Sequence, residues 1–189
     1  MLYYTAIICI FAFTDINMEK IIITRYLSPA GEMILGSYCG ELCICNWVSG
    51  KRRAYLEHKI RRVLNAEYEE GISPILKETI AQLDGFFDGR RTDFTIPVRF
   101  IGSEFQCKVW AELVKIPFGT TISYAELARR INNPKAVRAV ASANASNPVS
   151  IFVPCHRVIG SNNKLTGYAG GLMAKELLLE LEARIVANR

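Results

Sequence analysis

Two capping boxes, Ser103-x-x-Gln106 and Ser123-x-x-Glu126, restrict this chain more than any other feature, because each marks the start of a helix in its second half. In such a box the Ser hydroxyl accepts from the third backbone N–H and the Gln or Glu side chain returns a bond to the Ser N–H. Two orphan donors at the helix start are thereby satisfied. After Ser123, residues Tyr124, Leu127, Ala128 and Ile131 recur at helical spacing. Asn132-Asn133-Pro134 interrupts the pattern and puts Asn133 at an N-cap and Pro134 at the first helical position, which predicts a second helix running to about Ser146. Two short helices with a tight turn between them read as a helix-turn-helix.

The first half alternates differently. Lys20 to Tyr26, Met33 to Tyr38 and Glu41 to Val48 are apolar, β-branched runs separated by Ser28-Pro29-Ala30-Gly31 and Cys39-Gly40, which predicts a small antiparallel meander. Leu56, Ile60, Val63 and Leu64 then repeat at helical spacing. A second helix starts at Ser73-Pro74 with Leu76, Ile80, Leu83 and Phe87 on one face and closes at Asp88-Gly89. Phe94 to Ile96 is expected to be a short strand, and Pro97 to mark a domain boundary. Met1 to Phe13 is apolar but lacks a preceding basic residue and a cleavage pattern, and is too short to span a bilayer. Residues 1–17 are therefore set apart as a leader of open status, expected to pack as an edge strand if native.

With 189 residues, half of them hydrophobic, the chain can bury a sizeable core. Its six cysteines lack the even spacing of a secreted disulfide scaffold, so free thiols in a reducing compartment are expected. Charge is divided unevenly: 11 basic against 12 acidic residues in 1–97, but 12 against 6 in 98–189. No acid falls between Glu126 and Glu176, a span that holds or borders Arg129, Arg130, Lys135, Arg138, Arg157, Lys164 and Lys175. A polyanion is the natural partner of such a segment. The helix after Pro134 is rich in Ala and Ser, with Arg138, Ser142 and Ala145 on one face and Val137, Val140, Ala141 and Asn144 turned inward. A single long cation on a helix of little bulk suits close approach to a groove.

Chemistry enters at Pro154-Cys155-His156-Arg157-Val158, which ends the apolar run Val149 to Val153. A thiol becomes a strong nucleophile as the thiolate, and a neighbouring His or cation lowers its pKa from about 8.5. Further on, Gly167-Tyr168-Ala169-Gly170-Gly171 forms a turn and a final helix carries Ala174, Leu177, Leu178, Leu181 and Ile185 as its apolar stripe. Glu182 sits at the edge of that stripe, whereas Glu176 and Glu180 turn to solvent. Cys155, His156 and Glu182 are thus candidates for nucleophile, base and orienting acid.

These residues resemble the O6-alkylguanine-DNA alkyltransferases, or methylated-DNA–protein-cysteine methyltransferases. The resemblance runs through Ile116-Pro117-Phe118-Gly119, Ser123-Tyr124-x-x-Leu127-Ala128, Asn133-Pro134-Lys135-Ala136-Val137-Arg138-Ala139-Val140, Asn147-Pro148, the Cys155 motif, the Gly167–Gly171 turn, and Lys175, Leu178, Leu179 and Glu182. It covers most of 98–185 and is weaker before, chiefly at Tyr26-Leu27-Ser28-Pro29-Ala30-Gly31. The resemblance implies an α/β protein: a small ribonuclease-H-like α/β N-terminal domain at 18–97, and at 98–189 a helical winged-helix-type domain that contains the helix-turn-helix, binds DNA and accepts the alkyl group.

The resemblance also implies roles. Cys155 is the alkyl acceptor, His156 the base acting through a water, and Glu182 its orienting acid. Tyr124 helps rotate the nucleotide and bonds guanine N3, Asn147 braces the turn before the active-site segment, the Cys155 and Val158 carbonyls accept from the exocyclic amine, and Tyr168 and the Ala169 N–H lie near O6. Arg138 replaces the extruded nucleotide, with Ser123, Lys135, Ala136, Ser142 and Arg157 completing the DNA contacts. Some members carry a serine where this chain has Ala169. Some bind zinc in the first domain, but here Cys39, Cys43 and Cys45 alternate on apparent strands with His58 the one nearby histidine, so no metal is expected.

The expected function is repair of double-stranded DNA carrying O6-alkylguanine by irreversible, single-turnover transfer to Cys155, with base flipping, without cofactor or membrane, by a monomer in the cytoplasm, or the nucleus if the source is eukaryotic. O4-alkylthymine is a further candidate substrate. The competing readings are a non-catalytic lesion-binding protein, against which Cys155 argues, and a cysteine hydrolase, which explains neither the helix pair nor Arg138.

Overall fold

The computed structural model describes residues 19–161 and 164–188; the leader assigned to 1–17 lies outside them. Strands β1 (Lys20–Ser28), β2 (Gly31–Tyr38) and β3 (Glu41–Trp47) form the expected antiparallel meander. Helix α1 (Arg53–Leu64) then crosses over to β4 (Glu67–Glu70), which lies parallel to β1 and gives the order β3-β2-β1-β4. Nothing local announces β4, since Glu67-Tyr68-Glu69-Glu70 has neither an apolar run nor a buried face.

Helices cover both faces of the sheet, so β2 and β3 read as continuous apolar runs. One face buries Met33, Leu35, Leu42, Cys45 and Trp47 against Leu76, Leu83 and Phe86 of α2 (Pro74–Phe87). The other packs Ile21, Ile34, Cys43 and Ile44 against Ile60 of α1. Val63, expected on the buried stripe of α1, is instead exposed, and on α2 Phe86 is buried more fully than the expected Ile80 and Phe87. The Ser73 hydroxyl caps α2 as its Ser-Pro start predicts.

No strand forms at Phe94–Ile96. The chain reaches the sheet slightly later, where Leu42 N–H donates to Pro97 O and Arg99 N–H to Leu42 O. Farther along the same edge, Cys45 N–H donates to Pro148 O at 2.9 Å and Ser150 N–H to Cys45 O at 2.7 Å. The open edge of β3 is thus covered by the second half of the chain, an arrangement that prevents edge-to-edge pairing and fixes the segment leading to Cys155.

Helices α3 (Glu104–Val114), α4 (Tyr124–Arg130), α5 (Val137–Ala145) and α6 (Gly171–Ala187) make up that second half. The Ser103 box closes reciprocally; at Ser123 the hydroxyl caps Glu126 N–H, but the Glu126 carboxylate is taken by Arg129 and Arg130. The second helix of the pair begins at Val137, not at Pro134: Asn132 takes a left-handed φ of 58° and Asn133 to Ala136 forms a separate turn closed by Ala136 N–H to Asn133 O. Short strands β5 (Ile122–Ser123) and β6 (Val158–Ile159) pair in parallel and tie the start of α4 to the residues after Cys155. No helix among the described residues is long and apolar enough to cross a membrane.

Trp110, 1% exposed, anchors α3 to α5 by donating from Nε1 to Ala143 O at 2.9 Å. Trp110→Ala should lower the unfolding free energy by about 3–5 kcal/mol, measured by urea denaturation; a loss under about 1 kcal/mol would show that the α3–α5 contact carries little of the fold.

Candidate active site

Cys155 opens a 3₁₀ turn, Cys155–Arg157, that is wholly enclosed: Cys155 is 3% exposed and His156 0%. Approach to this turn is strained, for Ile151 is β-branched, buried and held at φ 73°, a conformation that costs such a residue of the order of 1–3 kcal/mol. Asn147 stabilises the loop from both ends, accepting from Val149 N–H at 3.0 Å and donating to Val153 O at 2.8 Å. Asn144 of α5 donates to the Cys155 carbonyl at 3.3 Å. The helix proposed to meet DNA is therefore bonded directly to the thiol-bearing turn.

Beneath the thiol lies a four-membered network centred on Glu182, itself 1% exposed. His156 Nε2 donates to Oε1 at 2.8 Å, Arg157 spans both oxygens at 2.9 to 3.1 Å, and Gly119 N–H donates to Oε2 at 2.9 Å. Gly119 has φ +71°, and a Cβ there would stand 2.5 Å from Val186 Cγ2, so only glycine presents its N–H to the carboxylate. Burial alone would raise the Glu182 pKa, but the hydrogen bonds and charges of His156 and Arg157 outweigh it and hold the group at about 2. A carboxylate only accepts, so Nε2 carries the imidazole proton and Nδ1 keeps its lone pair. Burial lowers the His156 pKa, opposed by Glu182, and leaves the ring neutral at pH 7.

Cys155 does not behave as its neighbours in sequence suggest. Burial pushes the thiol pKa up; the nearby polar side chains of Asn147 and Ser150 and the charge of Lys175 act against that. His156, adjacent in sequence, points down to Glu182 and is not among the groups that acidify the sulfur. The resting thiol is neutral and needs a base. Lys175, which the sequence places at the edge of the acid-free basic window, is 0% exposed and donates to Val158 O at 2.6 Å and Thr166 O at 3.2 Å. Burial brings its pKa down to about 8.

Around the thiol, polar atoms accumulate without partners. Among the described residues the buried side-chain atoms that make no hydrogen bond are Trp47 Nε1, Asn144 Oδ1, Ser150 Oγ, His156 Nδ1 and Tyr168 OH. Each such group costs about 1–3 kcal/mol when left unmet, and their concentration in one place is a signature of a ligand site. Trp47 and His156 flank Tyr168 edge-on, with ring centroids 5.9 and 6.5 Å away. Gly170 fits because its backbone lies against Trp47, where a Cβ would come within 2.5 Å of the indole. Tyr168, Ala169 and Gly170 also border a cavity of about 340 Å³ shared with Ala145 and the Ser49–Arg53 connection.

The other candidates divide into two groups. Tyr124, half-buried at the start of α4, accepts from the Thr166 hydroxyl at 3.3 Å and joins the pocket side. Val158 lies under it with its carbonyl engaged by Lys175, and Val158 N–H bonds the Cys155 carbonyl. Arg138, Lys135 and Ser142 are exposed on or just before α5 and Ala136 is half-buried. Arg157 must be withdrawn from the DNA-contacting set: it is 6% exposed, donates to Ile116 O at 2.7 Å and stacks over Phe118. The residues missed from sequence are Trp47, Asn144, Ser150 and Lys175; Asn144 is buried on the inward face the helical spacing gave it, without any sign that it would bond the Cys155 carbonyl, and Lys175 lay within the motifs but carried no sign of which way it points.

Comparison with known proteins gives the same direction. The profile of the 6-O-methylguanine DNA methyltransferase DNA-binding domain matches residues 104–184. A methylated-DNA–protein-cysteine methyltransferase of Methanosarcina acetivorans is 44% identical over 155 residues, 82% of this chain and 94% of that protein. The inducible Bacillus subtilis protein of the same name is 50% identical over 109 residues, 58% of this chain and 61% of its own length. Among solved structures, Mycobacterium tuberculosis OGT in complex with DNA superposes with a TM-score of 0.75 at 36% identity, covering 87% of this chain and 94% of that one. The O6-methylguanine-DNA methyltransferase of Pyrococcus kodakaraensis gives 0.64 at 25% identity, covering 86% and 98%. The mixed α/β fold is that of these structures.

Acid should unfold the chain in two stages. His156, lowered from 6.5 in the fold, takes a proton more readily when unfolded, so stability is lost as pH falls below 6.5. Glu182, lowered from 4.5 to about 2, adds a second loss as pH falls from 4.5 through about 2. Urea midpoints measured between about pH 7.5 and pH 5 should fall for the native chain and fall less steeply for His156→Gln; parallel slopes would mean that His156 does not titrate between the two states.

Proposed function

The chain belongs to the methylated-DNA–protein-cysteine methyltransferase family and repairs DNA by direct reversal; from that premise we propose that Cys155 takes the alkyl group from O6-alkylguanine flipped out of a duplex. The observation that carries the assignment is the enclosed Cys155 turn seated on the His156–Glu182–Arg157 network, with one imidazole nitrogen free to act. His156 Nδ1 withdraws the thiol proton through a bridging water, and Glu182 stabilises the imidazolium that results. Sulfur attacks the alkyl carbon, the C–O6 bond breaks with its electron pair left on guanine, and the proton that came from the thiol is the one guanine regains. The product is a thioether, which thiol exchange cannot reverse, so each molecule reacts once.

A base inside a duplex is out of reach of an enclosed thiol and must be extruded. Helix α5 suits this, with exposed Arg138 and Ser142 on a face otherwise made of small side chains. Arg138 fills the gap left in the stack, a form of insertion used by minor-groove proteins that unstack bases. Ser123 caps α4 and Tyr124 stands at the pocket rim, where its hydroxyl meets guanine N3. Tyr168 and the Ala169 N–H serve the O6 side. The finer fold assignment, ribonuclease-H-like before Pro97 and winged-helix-type after it, is supported by the order β3-β2-β1-β4 with β1 and β4 parallel, and by the α4–α5 pair. We place the protein in the cytoplasm as a monomer that needs no cofactor.

Mixing the chain with a duplex that carries O6-methylguanine should add one methyl to the peptide containing Cys155, read by mass spectrometry, and Cys155→Ser should abolish the addition while retaining DNA affinity. Methyl on another residue, or turnover with no retained methyl, would overturn the assignment.

Arg138→Ala should slow single-turnover repair in matched duplex far more than reaction with free O6-methylguanine base, and a mismatch opposite the lesion should restore part of the rate. Equal losses on all three substrates would assign Arg138 to the pocket or the fold instead.

A further inference from the structure

Three consecutive cations, Lys51-Arg52-Arg53, lead from β3 into α1, in the half of the chain that carries no excess of positive charge. Arg53 is taken by Glu57 at 2.6 Å. Lys51 and Arg52 are exposed and pair with no acid among the described residues. Arg52 Nη1 donates instead to Ser146 Oγ at 3.0 Å, and Ser146 Oγ donates to Ser142 O at 2.8 Å, so this guanidinium is fastened to the end of α5, the helix assigned above to DNA. Arg has five N–H donors, and this bond occupies one of them.

The same connection lies against the turn that walls the active site. Gly50 is placed so that a Cβ there would stand 3.4 Å from Ala169 O. Between the connection, the turn and the end of α5 runs the cavity of about 340 Å³, bordered by Lys51, Arg52, Ala145, Tyr168, Gly170 and Gly171. No carboxylate among the described residues lines it. Helix α1 starts on it after Arg52 and α6 after Gly170, neither with a side-chain cap, so the partial positive charge of two helix starts adds to that of two side chains. A nucleotide that leaves the stack beside α5 and enters the pocket beside Tyr168 draws its backbone across the space between them. Phosphodiester charge is what that space suits.

We propose that Lys51 and Arg52, from the first half of the chain, bind backbone phosphates of the lesion-bearing strand next to the extruded nucleotide. The inference rests on the function assigned above, in which every DNA contact comes from the second half. The planar fork of Arg52 matches phosphate oxygens and Lys51 acts as a point charge. With Arg157 and Lys175 buried, these two cations supplement Lys135 and Arg138 and hold the strand at the mouth of the pocket.

The test is to titrate an O6-methylguanine duplex at several salt concentrations with the full chain carrying Cys155→Ser, so that the lesion survives the measurement. The slope of log affinity against log salt should shrink by about 0.9 in Lys51→Gln and in Arg52→Gln, and by about 1.8 when both are changed. Arg52→Lys should keep the slope. Arg62→Gln, which removes an exposed cation from the last turn of α1, should also keep it. Neutral methylphosphonates in place of the two phosphates that flank the lesion should shrink the slope when Lys51 and Arg52 are present and far less when both are replaced. Slopes that stay constant in Lys51→Gln and Arg52→Gln, that shrink as much in Arg62→Gln, or that respond equally to methylphosphonates with and without the two cations overturn this proposal alone, provided the native chain takes up methyl. Absence of methyl uptake by the native chain overturns the underlying function, and the strand contact with it.

Discussion

The Glu182 carboxylate makes the site and the fold one object. It is buried, ionised, and bonded at once to a ring from the thiol turn, a guanidinium from the same turn and a backbone N–H from the loop after α3. An isolated carboxylate in such surroundings would be costly; one with charge-assisted bonds on both oxygens is tolerated and fixes the geometry of everything that touches it. A buried ion pair of this kind contributes little net stability, but removing one partner strands the other, at a cost of about 3–5 kcal/mol. Arg157 is therefore committed to the interior. Its guanidinium keeps Glu182 ionised, Glu182 holds the Nε2 proton on His156, and the ring presents Nδ1 as the acceptor.

The thiol above this network is in the opposite electrostatic situation. Burial disfavours its charge, and the groups that offset burial, Asn147, Ser150 and Lys175, are arranged around the sulfur rather than along the sequence. A thiol held neutral until a base and substrate are in place is protected from indiscriminate alkylation and oxidation, because both need the thiolate. Enclosure costs ready reactivity and supplies selectivity. In the reaction proposed above, the same enclosure requires the damaged base to leave its duplex, which would tie the chemistry to a helix able to distort DNA.

How the two halves of the chain join bears on this. The exposed edge of β3 is occupied by Pro97–Arg99 and by Pro148–Ser150, so the first half does more than accompany the second: it sets the height of the loop that enters Cys155 and lends Trp47 to the wall of the pocket. The DNA-facing charge is also leaner than the acid-free stretch from Glu126 to Glu176 suggests. Arg157 and Lys175 are interior, and Arg129 and Arg130 share Glu126. Lys135 and Arg138 remain exposed beside α5, which favours a mode of binding in which one inserted side chain matters more than a broad positive field.

What the sequence determined by itself is whatever depends on neighbours within a few residues. Ser103 and Ser123 cap their helices because a cap is a bond across three positions; the meander follows from apolar runs and turns; and the motif around Cys155, with Glu182 on the last helix, singled out His156 and Glu182, which the structure bonds to each other. Local signals failed where the competing force was not local. Pro134 is a good first helical residue, yet the left-handed Asn132 and the turn that follows it delay α5 to Val137. Arg157 and Lys175 are cations, yet a carboxylate and two carbonyls supplied by distant segments draw them inside. The thiol pKa moved upward because burial is a property of the whole packed molecule, invisible from the histidine next to it. Trp47 and Ser150 belong to the site only because the β3 edge pairs with residues a hundred positions away, and only tertiary structure decides which edge a strand exposes and what comes to cover it.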